Sequence, residues 1–225
     1  MWLNLVPQVL ALGCALGLPR PAGHRRRDTT ISAHLRSAVR EITENVTLRY
    51  LSLSSIFGGA GAAAGELQAA AFSAVWPIWA LGIAKGVQIG TVIPSYYFAG
   101  WIIDRLGFAR VIMFNLIIGV SGNILTGSIR SGISPLFVMF SLPLYGADDV
   151  AEQTLFQREF TDQQRATIAS MNSLGNSIYF AIILTVCGWI ANRYGPFVAL
   201  LATQVFLSPS IIFKGFLLHR IRNDA

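Results

Sequence analysis

A chain of 225 residues that is 53% hydrophobic and only 12% charged has too little charge to coat a soluble domain, for which about 25% is usual. Its formal net charge of +6 does not mark a nucleic-acid binder, because the basic residues are nowhere interleaved with stacking aromatics. The apolar residues fall in runs of about 20, the length that crosses a hydrocarbon core, so the composition points to an all-α, multi-pass membrane protein.

Residues 1–18 form the first apolar run, followed by Arg20, Arg25, Arg26 and Arg27. No Lys or Arg precedes the apolar core and the arginines follow it, an order that suits a helix leaving the bilayer on the cytoplasmic side better than a signal peptide. Because the run starts at Met1, the expectation is a partial transmembrane span. Residues 19–48 read as a cytoplasmic segment. Within it, Ile31, Leu35, Val39 and Ile42 recur at spacings of three and four against His34, Arg36, Arg40, Glu41 and Glu44, the pattern of an amphipathic surface helix. Asn45, Val46 and Thr47 spell a glycosylation sequon, which on the cytoplasmic side stays unmodified.

Residues 49–217 read as a six-span bundle, with spans near 50–73, 78–103, 109–128, 133–154, 167–191 and 197–216, and residues 218–225 as a cytoplasmic tail. Basic residues set the orientation. The outer connections hold only Arg130 and Arg193, Lys85 lies within a span, and the other 14 of the 17 Lys and Arg residues fall on the inner side. The expected location is the cell membrane with the C-terminus in the cytoplasm.

One polar turn occurs twice. Gly100, Trp101, Ile102, Arg105 and Gly107 return 88 positions later as Gly188, Trp189, Ile190, Arg193 and Gly195, with Asp104 answered by Asn192. The copies lie between spans two and three and between spans five and six, and so face opposite sides of the membrane. The bundle is therefore expected to consist of two inverted three-helix repeats, about 49–128 and 133–217, an organisation found in secondary transporters. Gly100 is expected to let two helices approach, and Gly107 to permit a turn closed to residues with a side chain. Asp104 is expected near the start of the next helix, where free amides favour negative charge, and Arg105 and Arg110 in the anionic cytoplasmic interface.

Gly100, Asp104, Arg105, Gly107 and Arg110 resemble the signature loop of the major facilitator superfamily, G-x-x-x-D-R-x-G-R-R, with Phe108 and Ala109 standing where basic residues are usual. Residues 165–170 also resemble the cytoplasmic start of the eleventh span of many members. The resemblance implies a secondary-active carrier of small solutes that works by alternating access, its loop charges clasping the neighbouring half in one state and releasing it in the other. It further implies a twelve-span architecture of which this chain matches the C-terminal six-span half, truncated or a fragment. The expected partners are the lipid bilayer, a small-molecule substrate and either the missing N-terminal half or a second copy, with no nucleic acid and no cofactor. A half-carrier that no longer transports and serves as an interaction partner or residual product is the alternative.

Ionisable groups inside spans mark functional interiors. Glu66 and Lys85 lie at similar depth in the first two spans, where they either pair with each other or serve substrate or protons. Asp148, Asp149 and Glu152, three and four residues apart, form the densest acidic group. They are read either as a proton- or cation-loading site on one helix face or as the solvated end of an early-terminating helix. Gln88, Asn123, Asn176 and Tyr179 either line a path or satisfy one another across helices. The glycines at 82, 86 and 90 and at 58, 59, 61 and 65 are expected to be close-packing surfaces, and Pro94 and Pro209 to bend their spans. Cys14 and Cys187 lack metal-ligand spacing. The motifs H-E-x-x-H, G-x-S-x-G and Gly-x-Gly-Asp are absent, so no enzyme chemistry is expected.

Overall fold

The computed structural model describes residues 31–160 and 164–223, with side chains within 35–220. The apolar run of residues 1–18 and the arginines after it lie outside the described residues. The chain divides into two units, Met1–His34 and Leu35–Ala225; of the first, only the opening turn of one helix is described, and the architecture below is that of the second.

Every regular element among the described residues is an α-helix. The first, α1 (Ile31–Glu44), carries Arg40 and Glu44 one turn apart and bonded at 2.7 Å, and that bond holds the guanidinium pKa above its ordinary value. Ala38 and Ile42 face the core, while Leu35 and Val39 are exposed, so the amphipathic stripe is split between protein and surroundings. α2 (Val46–Phe57) begins at Asn45, whose side chain accepts from the amide of Leu48 at 3.1 Å and donates to Glu159 at 2.8 Å. An asparagine read as part of a sequon is thus a helix N-cap.

Among the described residues, three helices are long and apolar enough to cross a membrane: Phe108–Ile129, Arg165–Tyr194 and, within the last helix, Pro196–Arg220. They are α6 (Phe108–Ile129), α9 (Arg165–Tyr194) and α10 (Pro196–Asn223). The stretches expected to form the other three spans each hold two shorter helices: α2 with α3 (Gly59–Ser73), α4 (Ile78–Tyr97) with α5 (Ala99–Leu106), and α7 (Ser134–Met139) with α8 (Tyr145–Glu159).

The breaks have local causes. At Gly58 the ladder stretches, with the Ala62 amide 3.4 Å from the Gly58 carbonyl. Beside it, Gly59 lies so close to α9 that a Cβ there would stand 2.6 Å from the Asn176 carbonyl oxygen. Pro94 supplies no amide to the helical ladder, and α4 ends three residues later at Tyr97. Pro209, in contrast, is accommodated inside the continuous helix α10. Between α7 and α8 the segment 140–144 contains Pro143.

α10 packs along α2, α3, α6 and α9, while α8 packs against α4, α5 and α6. Three apolar clusters result. One joins α2, α5, α6, α8 and α10 through Leu51, Ile103, Ile112, Ala151 and Leu217. A second joins α3, α4, α7 and α10 through Ala64, Phe72, Ala84, Val138 and Leu200. A third joins α3, α9 and α10 through Leu67, Ile183, Cys187 and Ala199, with Cys187 as a buried packing residue. Large apolar side chains such as Trp79, Ile93, Ile117 and Val205 remain exposed.

Candidate functional site in the bundle interior

The helices that bury small apolar residues on one face turn a polar face inward. On α2 and α3, Gly58, Gly61, Gly65 and Gln68 recur at helical spacing; on α6, Asn115, Gly119 and Asn123 stand four apart; on α10, Leu207, Ser210 and Lys214 stand three and four apart. With Lys85 and Gln88 of α4 and Tyr145 and Asp148 near the start of α8, these faces enclose a cavity of about 490 Å³. A second cavity, of about 300 Å³, shares Gly58, Asp148, Asn176 and Lys214 with the first and continues past Asp149 and Glu152. The period that makes this interior is the same 3.6-residue repeat that buries the core, offset around each helix.

At one end of the larger cavity, Glu66 and Lys85 attract each other through space but make no contact ion pair. Glu66 is exposed, and among the described residues no carboxylate oxygen lies within 4.0 Å of the Lys85 ammonium. The ammonium instead donates to Gln88 Oε1 at 3.1 Å, Gln68 Oε1 at 3.4 Å and the Gly65 carbonyl at 3.5 Å. The reason is angular: Gln68 shares the inner face of α3 with Gly65, whereas Glu66 is turned about 100° away from Gly65. Gln68 in turn donates to Asn123 Oδ1 at 3.0 Å.

At the other end, the three acidic residues of α8 are parcelled out to three different helices. Asp148 is buried and accepts from Asn115 Nδ2 of α6 at 2.6 Å. Asp149 accepts from the Tyr96 hydroxyl of α4 at 2.9 Å. Glu152 pairs with Lys214 of α10, both side chains mostly buried. The helix that carries the group runs on to Glu159, and the three carboxylates, though bonded to three different helices, all line the second cavity. Among the described residues, Asp148 Oδ1 and Asn115 Oδ1 are buried without a hydrogen-bond partner, as is Glu152 Oε1 apart from its ion pair with Lys214.

The other polar residues of the spans chiefly satisfy neighbours. Asn176 donates to the Ser55 carbonyl at 2.7 Å and Tyr179 to the Phe206 carbonyl at 2.7 Å, while Gln88 donates to Gln68 Oε1 at 3.4 Å. Gln88, Asn123 and Asn176 also line the cavity. The glycines at 82, 86 and 90 are not close-packing surfaces, since a Cβ at any of them would meet nothing within 4 Å; Gly59 and Gly146 are such surfaces.

The repeated turn lies away from this interior. Gly107, between α5 and α6, has φ 81° and ψ 153°, and Gly195, between α9 and α10, has φ 89° and ψ 160°. They are the only glycines with positive φ among the described residues. Each donates its amide four residues back, Gly107 to Ile103 at 2.7 Å and Gly195 to Ala191 at 2.9 Å. Gly107→Ala should therefore lower stability by about 1–3 kcal/mol, and Gly195→Ala likewise. Gly100→Ala should be silent, because nothing lies within 4 Å of a Cβ there; the expected close approach at Gly100 does not occur. Thermal unfolding midpoints in detergent check all three.

Asp104 is exposed and lies in the last turn of α5, not at the start of α6. It makes no hydrogen bond or ion pair among the described residues. Arg105 stacks over Trp101 at 5.5 Å, and Arg105, Gly107 and Arg110 border a cleft of about 850 Å³ whose far wall is Gly215, Leu218 and His219 of α10.

Lys214 is the interior residue that the sequence reading misses, because its position places it among the basic residues of the inner side. A signal is present: apolar residues flank it on both sides, Ile211, Ile212 and Phe213 before and Phe216, Leu217 and Leu218 after, so the helix continues well past it. No protein-family model matches the chain, and no curated protein and no solved structure matches it.

Proposed function

We propose that the chain is a secondary-active transmembrane carrier of small solutes, of the major facilitator type, working by alternating access in the cell membrane with its C-terminus in the cytoplasm. On this reading the helices from α2 to α10 make six spans in two inverted three-helix units. The observation that carries it is the pair of turns 88 positions apart: the same backbone angles at Gly107 and Gly195, and the same amide bond closing the preceding helix. Sequence similarity over a short turn arises by chance; matching conformations at a non-standard φ between corresponding helices support a structural repeat.

The interior supports transport over a purely structural bundle. All six of these spans contribute to one polar cavity, and Asp148 holds a buried carboxylate oxygen without a partner, which taking up a proton or a cation would satisfy. Asp104, exposed and without a hydrogen bond or ion pair among the described residues, offers a charge at what this reading makes the membrane face. An unpartnered carboxylate at a helix C-terminus is disfavoured by the helix dipole and is available to a second bundle in one conformational state.

Cysteine labelling tests the reading without knowledge of the solute. Gly119 borders the cavity and a Cβ there meets nothing within 4 Å, so Gly119→Cys, in a background with Cys14 and Cys187 replaced by alanine, introduces a reporter that the packing accommodates. Alternating access predicts labelling by a membrane-impermeant maleimide from both faces of the membrane. Adding Asp104→Asn should leave membrane insertion unchanged and shift the ratio of labelling from the two faces about tenfold, the scale of a typical conformational coupling. A reporter reached from one face only in the parent, or a ratio indifferent to Asp104→Asn, overturns the proposal. The first of these results is the one expected for a half-carrier that no longer transports. In that alternative the exposed Glu66 and the exposed apolar face of α4, with Ile78, Trp79, Ile83 and Tyr97, serve to bind another bundle.

A further inference from the structure

We propose that the Lys85 end of the interior cavity is an anion subsite, in which the Lys85 ammonium, framed by Gln68 and Gln88, receives the carboxylate of a small organic anion. The inference rests on the carrier reading above and adds to it the class of solute.

A lysine inside a membrane span is costly and is ordinarily matched by a counter-charge. Lys214 follows that rule through Glu152. Lys85 has no such contact: its three acceptors are all neutral, among the described residues no carboxylate oxygen comes within 4.0 Å, and the exposed Glu66 attracts it only through space. Its contacts, at 3.1, 3.4 and 3.5 Å, are also long beside the roughly 2.7–2.9 Å of a charge-assisted N–H···O bond to an anion. The ammonium is thus positioned without a carboxylate in contact with it.

The frame around it is fixed in advance. Gln88 donates to Gln68 Oε1 and to the Val138 carbonyl, and Gln68 donates to Asn123, so the amides hold one another and add no charge. The nearest interior acid along α6 is no remedy. Asn115, which holds Asp148, lies eight residues from Asn123, about 12 Å along the helix. Asp148 therefore cannot serve as the direct counter-ion of Lys85 while it stays on Asn115.

Beside the ammonium is room for a ligand. The cavity of about 490 Å³ falls within the roughly 300–1,000 Å³ of small-molecule sites. Its walls at Gly61, Gly65 and Gly119 carry no side chains, which leaves space for the body of a solute whose carboxylate sits on Lys85. A cationic solute is repelled from this end, and a neutral one leaves the charge unmatched. A bare inorganic ion fills little of the volume.

The test uses the full chain purified in detergent at constant ionic strength, with the thermal unfolding midpoint as readout. The probes are benzoate and glutarate, their uncharged amides benzamide and glutaramide, and sodium chloride alone. At least one carboxylate should raise the midpoint by several degrees while its amide and chloride do not. Lys85→Gln and Lys85→Met should each abolish that rise and Lys85→Arg should keep it in part. Midpoints unmoved by both carboxylates, moved equally by the amides or by chloride, or still moved in both neutral variants, overturn the subsite. Should neither neutral variant fold, the comparison of carboxylates with amides on the unmodified chain decides it alone. Counterflow of the same probes in proteoliposomes separates this inference from the one beneath it. Carboxylate binding without counterflow leaves the subsite standing and removes the carrier, whereas alternating access of the Gly119→Cys reporter without carboxylate binding does the reverse.

Discussion

Glu152→Gln should destabilise the bundle by about 3–5 kcal/mol, because it leaves the Lys214 ammonium mostly buried with its ion-pair partner gone. The two side chains are 22% and 14% exposed, so solvent recovers only part of the loss. The expected observation is a large drop in the thermal unfolding midpoint of the purified protein. The double variant Glu152→Gln with Lys214→Met should recover most of it, since replacing both members of a buried pair removes the charge that needed a partner. If the two single effects simply add in the double variant, the pair does not bind α8 to α10 in the way described. The same variants separate structure from function. A double variant that is stable and still shows two-sided labelling at Gly119→Cys assigns the pair to architecture, whereas one-sided labelling assigns it to the conformational change.

Gly59→Leu should be comparably damaging, by about 3 kcal/mol. A Cβ at this position would stand 2.6 Å from the Asn176 carbonyl oxygen and 2.9 Å from the Phe180 amide nitrogen. Both are backbone atoms of α9, so no side-chain rotation relieves the contact and the two helices must separate. That separation also disturbs the Asn176 bond to the Ser55 carbonyl and with it the wall of the cavity. Gly82→Leu is the matched control, since nothing lies within 4 Å of its Cβ. Size-exclusion profiles of the two variants after mild heating should differ sharply; a Gly59→Leu protein as heat-resistant as Gly82→Leu would show that α3 and α9 do not meet there.

The contrast between Gly59 and Gly82 shows why glycine spacing misleads where glycine conformation does not. The glycines at 82, 86 and 90 carry the four-residue spacing of a contact stripe, yet face open space, while Gly59 and Gly146 are among those that make close approaches. Spacing states which residues share a helix face and leaves open which face meets a neighbour. Gly107 and Gly195 are legible because a turn is local: the chain must reverse between two apolar runs, and a positive φ there is closed to residues with a Cβ.

Taken alone, the sequence determined what depends on short stretches. The helical composition, the apolar lengths of the helices at 108–129, 165–194 and 196–220, the amphipathic pattern of α1 and the paired turns all follow from composition, from a period of 3.6 residues and from the restrictions on backbone angles. Tertiary structure alone decided the partners of the interior charges. Lys85 turned to Gln68 and Gln88 and not to Glu66, Asp148 to Asn115, Asp149 to Tyr96, and Glu152 to Lys214. Most of these contacts join residues far apart in the chain. Which of them form is set by the rotation of each helix about its axis and by where kinks at Gly58 and after Pro94 redirect it, and a local pattern carries the spacing along a helix but not the angle at which its neighbour arrives.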